Sequence, residues 1–190
     1  MRTFSCLLFI FVLGCDESSQ TDGAGTPSNL SESDARNLND ATQQSTPFIS
    51  PGIQNPKAFA ADEVDFPDHF PIVGISMGAA SRAYAIRDLS QMTTHVVNDL
   101  LENTAVSVTY CNRTNVVRVF SNSDSTIPIE LAIGGWQDNQ MLIMLDGKFF
   151  LQQAKDIPLK DYPYTRTTWG EWKSLHPETR IYVTKETSVK

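Results

Sequence analysis

The stretch MLIMLDGKFFLQ, Met141 to Gln152, decides the fold class. Met141 to Leu145 is continuously apolar, as a buried strand is. Asp146-Gly147 follows at once, and these two residue types accept the positive φ angles that a two-residue hairpin turn demands. Lys148 to Gln152 is then the returning strand. Just upstream, Ile127, Ile129, Leu131 and Ile133 alternate with Pro128, Glu130 and Ala132, which predicts a strand with one apolar face. Pro128 puts that strand at an edge or at its own start. Gly134-Gly135 ends it, and Gly134-Gly135-Trp136 reads as a turn, since it lacks the strand-to-helix context of a phosphate-binding loop.

Working outward, the pattern stays rich in strands. Ile72 to Met77 and Arg82 to Ile86 read as strands joined through Gly78-Ala79-Ala80. Val106 to Tyr110 alternates, and Val116 to Phe120 is β-rich. Leu89, Met92, Val96, Val97, Leu100 and Leu101 approach helical spacing, which predicts a short helix over 89–101. Thr168-Trp169-Gly170-Glu171 fits a capping box, with Thr168 as N-cap and Glu171 reaching back to it. The helix it opens must stop before Pro177, and Ile181 to Thr184 closes the chain as a strand. These elements predict an α+β domain, mainly antiparallel β-sheet with a few short helices, without repeats or βαβ alternation.

The N-terminal third has a different character. Arg2, the apolar run Leu7 to Leu13 and the box Val12-Leu13-Gly14-Cys15 read as a bacterial lipoprotein signal, with lipid on Cys15. The run is too short to span a bilayer, which needs about 20 apolar residues; the alternatives are an ordinary secretory leader or an uncleaved anchor. Asp16 resembles the inner-membrane retention signal of enteric bacteria, and the choice between inner and outer membrane stays open. Residues 1–14 are thus expected to be the signal peptide and 15–61 the lipidated cysteine with an acidic tether. Residues 62–190 are expected to form the domain. Ser, Thr, Asn, Gln, Gly and Pro dominate the tether, whose mean reach is about 35–40 Å. Ser45-Thr46-Pro47-Phe48-Ile49-Ser50-Pro51 is its one patch able to dock on the domain.

Charge follows the same division. The chain carries 15 basic and 22 acidic residues. Residues 16–63 hold eight acids and two bases, whereas 64–190 hold 14 and 12. A near-neutral domain without a basic stripe excludes an electrostatic footprint for nucleic acid. The expected partners are the membrane, through Cys15, and an envelope protein. Of the three cysteines, Cys6 lies in the leader and Cys15 takes lipid. Cys111 is left alone, so the mature protein can form no internal disulfide and must rest on an ordinary core.

Several segments, in this order, resemble the bacterial family catalogued as domain of unknown function 3179. They are Val73-Gly74-Ile75 with Arg82 to Ala85, His95 to Asp99, Val106 to Cys111, Met141 to Asp146, and Thr167 to Trp172 with His176-Pro177. The resemblance covers about 70–183 and marks Tyr110, Asp146, Trp169, Trp172 and His176 as motif positions. Relatives typically continue Thr-Tyr-Cys into a Cys-x-x-Cys pair, but here Thr114 stands at the second cysteine. They also carry an Asp-Arg-x-Thr-x-x-x-Trp element where this chain keeps Asp146 without the Arg and Trp. Redox chemistry or metal binding by paired cysteines is therefore put in question for this chain.

Among the residues able to carry chemistry, His95 and Cys111 form the best pair. Imidazole with thiolate suits copper or zinc, or a nucleophile with its base. On a helix Asp99 would share a face with His95 and orient its ring, and Met141 or Met144 would add a thioether. The plain alternative is that cysteine and methionine are core residues. Trp169, Trp172 and His176 fall on one helical stripe, which most often seals a core; with Trp136 they are the aromatic candidates for a binding surface. Asn112-Arg113-Thr114 matches a glycosylation acceptor, which carries no meaning in a bacterial lipoprotein. No Gly-x-Ser-x-Gly elbow or His-Glu-x-x-His motif supports a hydrolase. The function expected is a tethered module binding a metal, a small ligand or an envelope partner. The alternative is a redox or thiol-dependent enzyme using Cys111 with His95.

Overall fold

The computed structural model describes residues 48–184. The expected leader, the expected lipidation at Cys15 and the expected tether as far as residue 47 lie outside the described residues. Three sheets and one α-helix make up the described residues. In the outer sheet, β1 (Ser50–Pro51), β9 (Ala132–Gln137), β10 (Gln140–Leu145) and β11 (Lys148–Leu151) lie side by side in that order. The expected hairpin is β10–β11, with Leu145 opposite Lys148. Its turn residues take φ of +50° at Asp146 and +73° at Gly147, the pair of positive angles that matches the strands' right-handed twist. The same device recurs at Asp138-Asn139, between β9 and β10, where φ is +49° and +58°.

The central sheet runs β12 (Lys160–Asp161), β8 (Val116–Asn122), β7 (Thr104–Cys111), β6 (Val96–Leu101), β2 (Ile53–Gln54). The third sheet runs β13 (Thr165–Thr168), β4 (Pro71–Met77), β5 (Ala80–Ala85), β14 (Arg180–Tyr182), β3 (Ala58–Ala60). Pairing is antiparallel except for β14 with β5 and β2 with β6. The architecture is therefore α+β, as the sequence predicts, with mixed pairing in two of its sheets.

The central sheet is buried on both faces. Val97, Leu101, Val106, Val108, Tyr110, Val117 and Val119 pack towards Val73, Ile75, Tyr84 and Tyr182 of the third sheet. Val96, Ala105, Cys111 and Phe120 pack towards Ile133, Met141, Ile143 and Leu145 of the outer sheet. A third cluster lies on the far side of the third sheet, where α1 (Trp169–Leu175) seats Trp169 and Trp172 among Phe59, Ile72, Ala83 and Ile181. Trp172 lies so close to Gly74 that a Cβ there would come within 2.5 Å of its ring, so glycine is required for the helix to settle on the sheet. The expected capping box is present: Glu171 N–H donates to the Thr168 hydroxyl, and the Glu171 carboxylate accepts from the Thr168 N–H.

Three sequence expectations are corrected. Residues 96–101 form strand β6, preceded by a single 3-10 turn at Met92–Thr94, rather than a helix. The adjacent valines are β-branched, and burial on both faces gives an unbroken apolar run that periodicity cannot tell from a helix. The strand expected over 127–133 begins only at Ala132, and Gly134-Gly135 continues it to Gln137. The register there slips, because Leu142 faces Gly135 while Ile143 faces Ile133, leaving Gly134 as the extra residue of a β-bulge. Finally, the folded body starts before residue 62. β1, β2 and β3 enter three different sheets, although Pro51, Gly52, Asn55 and Pro56 give this stretch the composition of a linker.

Candidate functional site

At one end of the gap between the central and outer sheets lies a cavity of about 470 Å³. His95, Cys111 and Met141 line it, together with Met92, Arg113, Trp136 and Phe48. β7 ends at Cys111, which is 2% exposed. His95 follows the 3-10 turn and pairs through its backbone carbonyl with the N–H of Tyr110 at 2.9 Å. The sequence separation between His95 and Cys111 is thus closed by the β6–β7 hairpin, whose Glu102-Asn103 turn takes φ of +48° and +61°.

His95 is held in a definite state. Its Nδ1 lies 2.7 Å from the carbonyl oxygen of Leu89, which can only accept, so Nδ1 carries the proton. The lone pair left for a ligand is on Nε2. Burial pushes the imidazole pKa below its ordinary value, against a smaller upward pull from the Leu89 carbonyl, so the ring is neutral at physiological pH. Tyr110 stands edge-on to it, with ring centroids 6.4 Å apart.

The opposite wall comes from the bulged strand. Gly135 has a φ of +113°, a conformation glycine adopts without strain. The bulge sets Trp136 opposite Met141 at the cavity. Arg113, in the turn after Cys111, lays its guanidinium 4.0 Å from the centre of the Trp136 ring, a cation–π contact that closes the cavity's rim. Asn112 donates to the carbonyl of Ser90 at 2.9 Å, tying that turn to the segment before the 3-10 turn. The hydroxyl of Thr114, in the same turn, is the only fully buried side-chain N or O atom among the described residues with no hydrogen-bond partner.

Other candidates lie elsewhere. Asp99 does not orient His95: on a strand, four residues span about 13 Å, and the carboxylate lies on the face towards the third sheet. There it accepts hydrogen bonds from Arg82 and from the Tyr84 hydroxyl, each at 2.8 Å. Burial holds its pKa above the ordinary value, outweighing Arg82 and the hydrogen bonds from Tyr84 and Leu100. Asp146 is exposed at the hairpin tip. Trp169 and Trp172 are 1% and 2% exposed in the helix-side core, and the indole N–H of Trp172 donates to the Thr179 hydroxyl. His176 stacks on Trp172 with ring centroids 3.9 Å apart. Their stripe seals the core, and none of these three reaches the cavity.

Chemically, the cavity combines apolar walls with one imidazole lone pair, one thiol, two thioethers and a guanidinium at the rim. Among the described residues no three of His, Cys, Asp and Glu gather at one place. Arg113 and Met92 were not read from the sequence as site residues, and Phe48 entered only as part of a patch able to dock on the domain. The only signal for the bulged wall was a Gly-Gly pair inside an otherwise apolar, strand-like run.

Comparison with known proteins identifies one family. The family described as "Protein of unknown function (DUF3179)" matches residues 49–190. The chain belongs to that family. No match was found among curated proteins or among solved structures.

Proposed function

We propose that this family member is a lipid-tethered binding protein of the bacterial cell envelope, taking a small ligand into the cavity between its central and outer sheets. The observation that carries this reading is the cavity itself. A space of about 470 Å³ falls in the size range of ligand pockets, and apolar walls with a few convergent polar groups are their usual make-up. Phe48, Ile133, Trp136 and Met141 supply apolar contact. The rim guanidinium of Arg113 favours a ligand that carries an anionic group. The lipobox ending at Cys15 and the acidic stretch after it support the tethered location.

The fluorescent dye anilinonaphthalene sulfonate, an aromatic body with one anionic group, is a suitable probe. The native full chain is expected to bind it saturably with one-to-one stoichiometry. Arg113→Ala should weaken the binding and Ile133→Phe should block it, both without loss of native circular dichroism. Absent or non-saturable binding overturns the cavity reading. The anchor is checked separately: the chain should partition into detergent when expressed in bacteria, and Cys15→Ala should not.

A second reading, thiol chemistry, has one observation in its favour, which is that Cys111 and the neutral His95 share the cavity. An activated thiol reacts fast with an alkylating reagent in the native protein, whereas a buried packing thiol reacts only as the fold opens. Because Cys111 is 2% exposed, slow alkylation is the expected result.

A further inference from the structure

We infer that the ligand chemistry built into this cavity is that of a soft monovalent metal ion, copper(I). The inference rests on the cavity reading above and names its ligand class. Four donors line the cavity: the imidazole of His95, the thiol of Cys111, and the thioethers of Met141 and Met92. Met92 and His95 lie in and just after the 3-10 turn, and the β6–β7 hairpin brings Cys111 back beside them. Met141 comes from β10 of the facing sheet, so the fourth donor is supplied by packing between sheets and not by chain proximity. Sulfur and imidazole are the donors that copper(I) prefers, and thioethers add little for zinc.

Zinc is disfavoured by count. A structural zinc ion takes four protein ligands, and a catalytic one at least three, drawn from Cys, His, Asp and Glu. The cavity offers His95 and Cys111 alone from that set, and no cluster of three exists among the described residues. The carboxylate nearest in sequence, Asp99, is committed to Arg82 and Tyr84 on the opposite face.

The histidine is prepared for such a role. A ligating imidazole commonly donates its other ring N–H to a backbone carbonyl, which fixes tautomer and orientation. His95 does this through Nδ1 to Leu89 at 2.7 Å. On binding, the Cys111 thiol releases its proton to solvent and the S–H bond gives way to a sulfur–copper bond. Thiolate and copper(I) together are neutral, so the cavity gains no net charge beneath Arg113. No electron is transferred.

The test uses the full chain with Cys6→Ser and Cys15→Ser, so that Cys111 is the only thiol. It is titrated anaerobically with copper(I) against a chromophoric chelator. One copper ion per chain is expected to be withdrawn from the chelator, with zinc(II) not retained. Cys111→Ser and Met141→Leu should each weaken retention about 10- to 100-fold, the scale on which groups around a metal act. Met141→Leu is nearly isosteric, so it keeps the test decisive if the cysteine variant fails to fold. Copper lost as readily as from Cys111→Ser, or held equally by Met141→Leu, overturns the copper inference. The same samples receive the fluorescent dye. Dye binding without copper retention sinks the metal and leaves the binding module, whereas loss of both sinks the cavity reading as well.

Discussion

The two faces of the central sheet are both buried, yet they are built on opposite plans. Towards the third sheet, valines and tyrosines fill the gap, and the polar intrusion is a closed triad of Asp99, Arg82 and Tyr84. Towards the outer sheet, β6 and β7 present Asn98, Ser107 and Thr109, all buried, and the layer ends in a cavity. Those polar groups are satisfied partly within the central sheet and partly across the gap. Ser107 donates to Asn98 at 2.5 Å, Asn98 donates to the Leu131 carbonyl at 2.8 Å, and Gln152 donates to the Thr109 hydroxyl at 3.0 Å. One face is packed around a single ionic triad; the other combines an apolar cluster with a polar seam and a cavity at its end.

The largest effect should come from breaking the closed face. Asp99→Ala leaves the Arg82 guanidinium, whose side chain is 17% exposed, and the buried Tyr84 hydroxyl without their acceptor. Removing one member of such a buried pair costs about 3–5 kcal/mol, measurable by urea unfolding. Protonation sharpens the point. Because burial raises the Asp99 pKa above its ordinary 3.8, the folded state holds a proton that the unfolded chain has already released. Stability from this group therefore falls as pH rises from that value through the raised pKa. An Asp99→Asn variant should lack this component, and an unchanged pH slope would show that Arg82 controls the carboxylate instead.

Next in size is the polar seam. Asn98→Ala strands the Leu131 carbonyl and takes away the Ser107 acceptor, and leaving buried groups unpaired costs about 1–3 kcal/mol. The seam also limits Gly52, where an added Cβ would clash with the Leu131 carbonyl oxygen and the Asn98 amide. A smaller loss from Asn98→Ala than from Asp99→Ala would confirm that the ionic face carries more of the stability. Equal losses would erase the distinction between the faces.

These faces were unequally legible in the chain. The hairpin at Asp146-Gly147, the capping box at Thr168 and the alternation in β7 act over a few residues, and each stands where local chemistry puts it. His95 and Cys111 could be named from residue type, and their meeting follows from one local hairpin. Asp99 was misplaced because Leu89 to Leu101 reads equally as a helix, and the choice was made by layers packed on both sides of β6. The cavity's other wall depends on a one-residue bulge at Gly134 and on the sheet partner of β1. Neither leaves a periodic trace: β1 pairs with a segment about eighty residues further along the chain, and the bulge is a one-residue slip inside the local β9–β10 hairpin.

A gain rather than a loss is expected at the open end. The Thr114 hydroxyl is buried without a partner, so Thr114→Val removes a desolvated polar atom while keeping the side chain's shape. Stability should rise by about 1 kcal/mol, read as a higher urea midpoint at unchanged slope. A loss of that size would mean that the hydroxyl is bonded in solution, for instance by a water that the turn encloses.

The smallest effect on stability is expected at Phe48, and it isolates the cavity from the fold. Phe48 is 48% exposed yet lines the cavity at the first described residue, two positions before β1 joins the outer sheet. A half-exposed ring contributes little to the core, so Phe48→Ser should move stability by no more than about 0.5 kcal/mol. Dye affinity should nevertheless fall, because the variant removes one apolar wall of the space the dye enters. The closed face offers no equivalent, since none of its cluster residues combines wide exposure with a lining role. If Phe48→Ser changes neither stability nor dye binding, the segment around it is a passive lead-in to β1. If it weakens binding alone, a residue that adds little to the fold is part of the site, and the chain just before β1 supplies one wall of the ligand cavity.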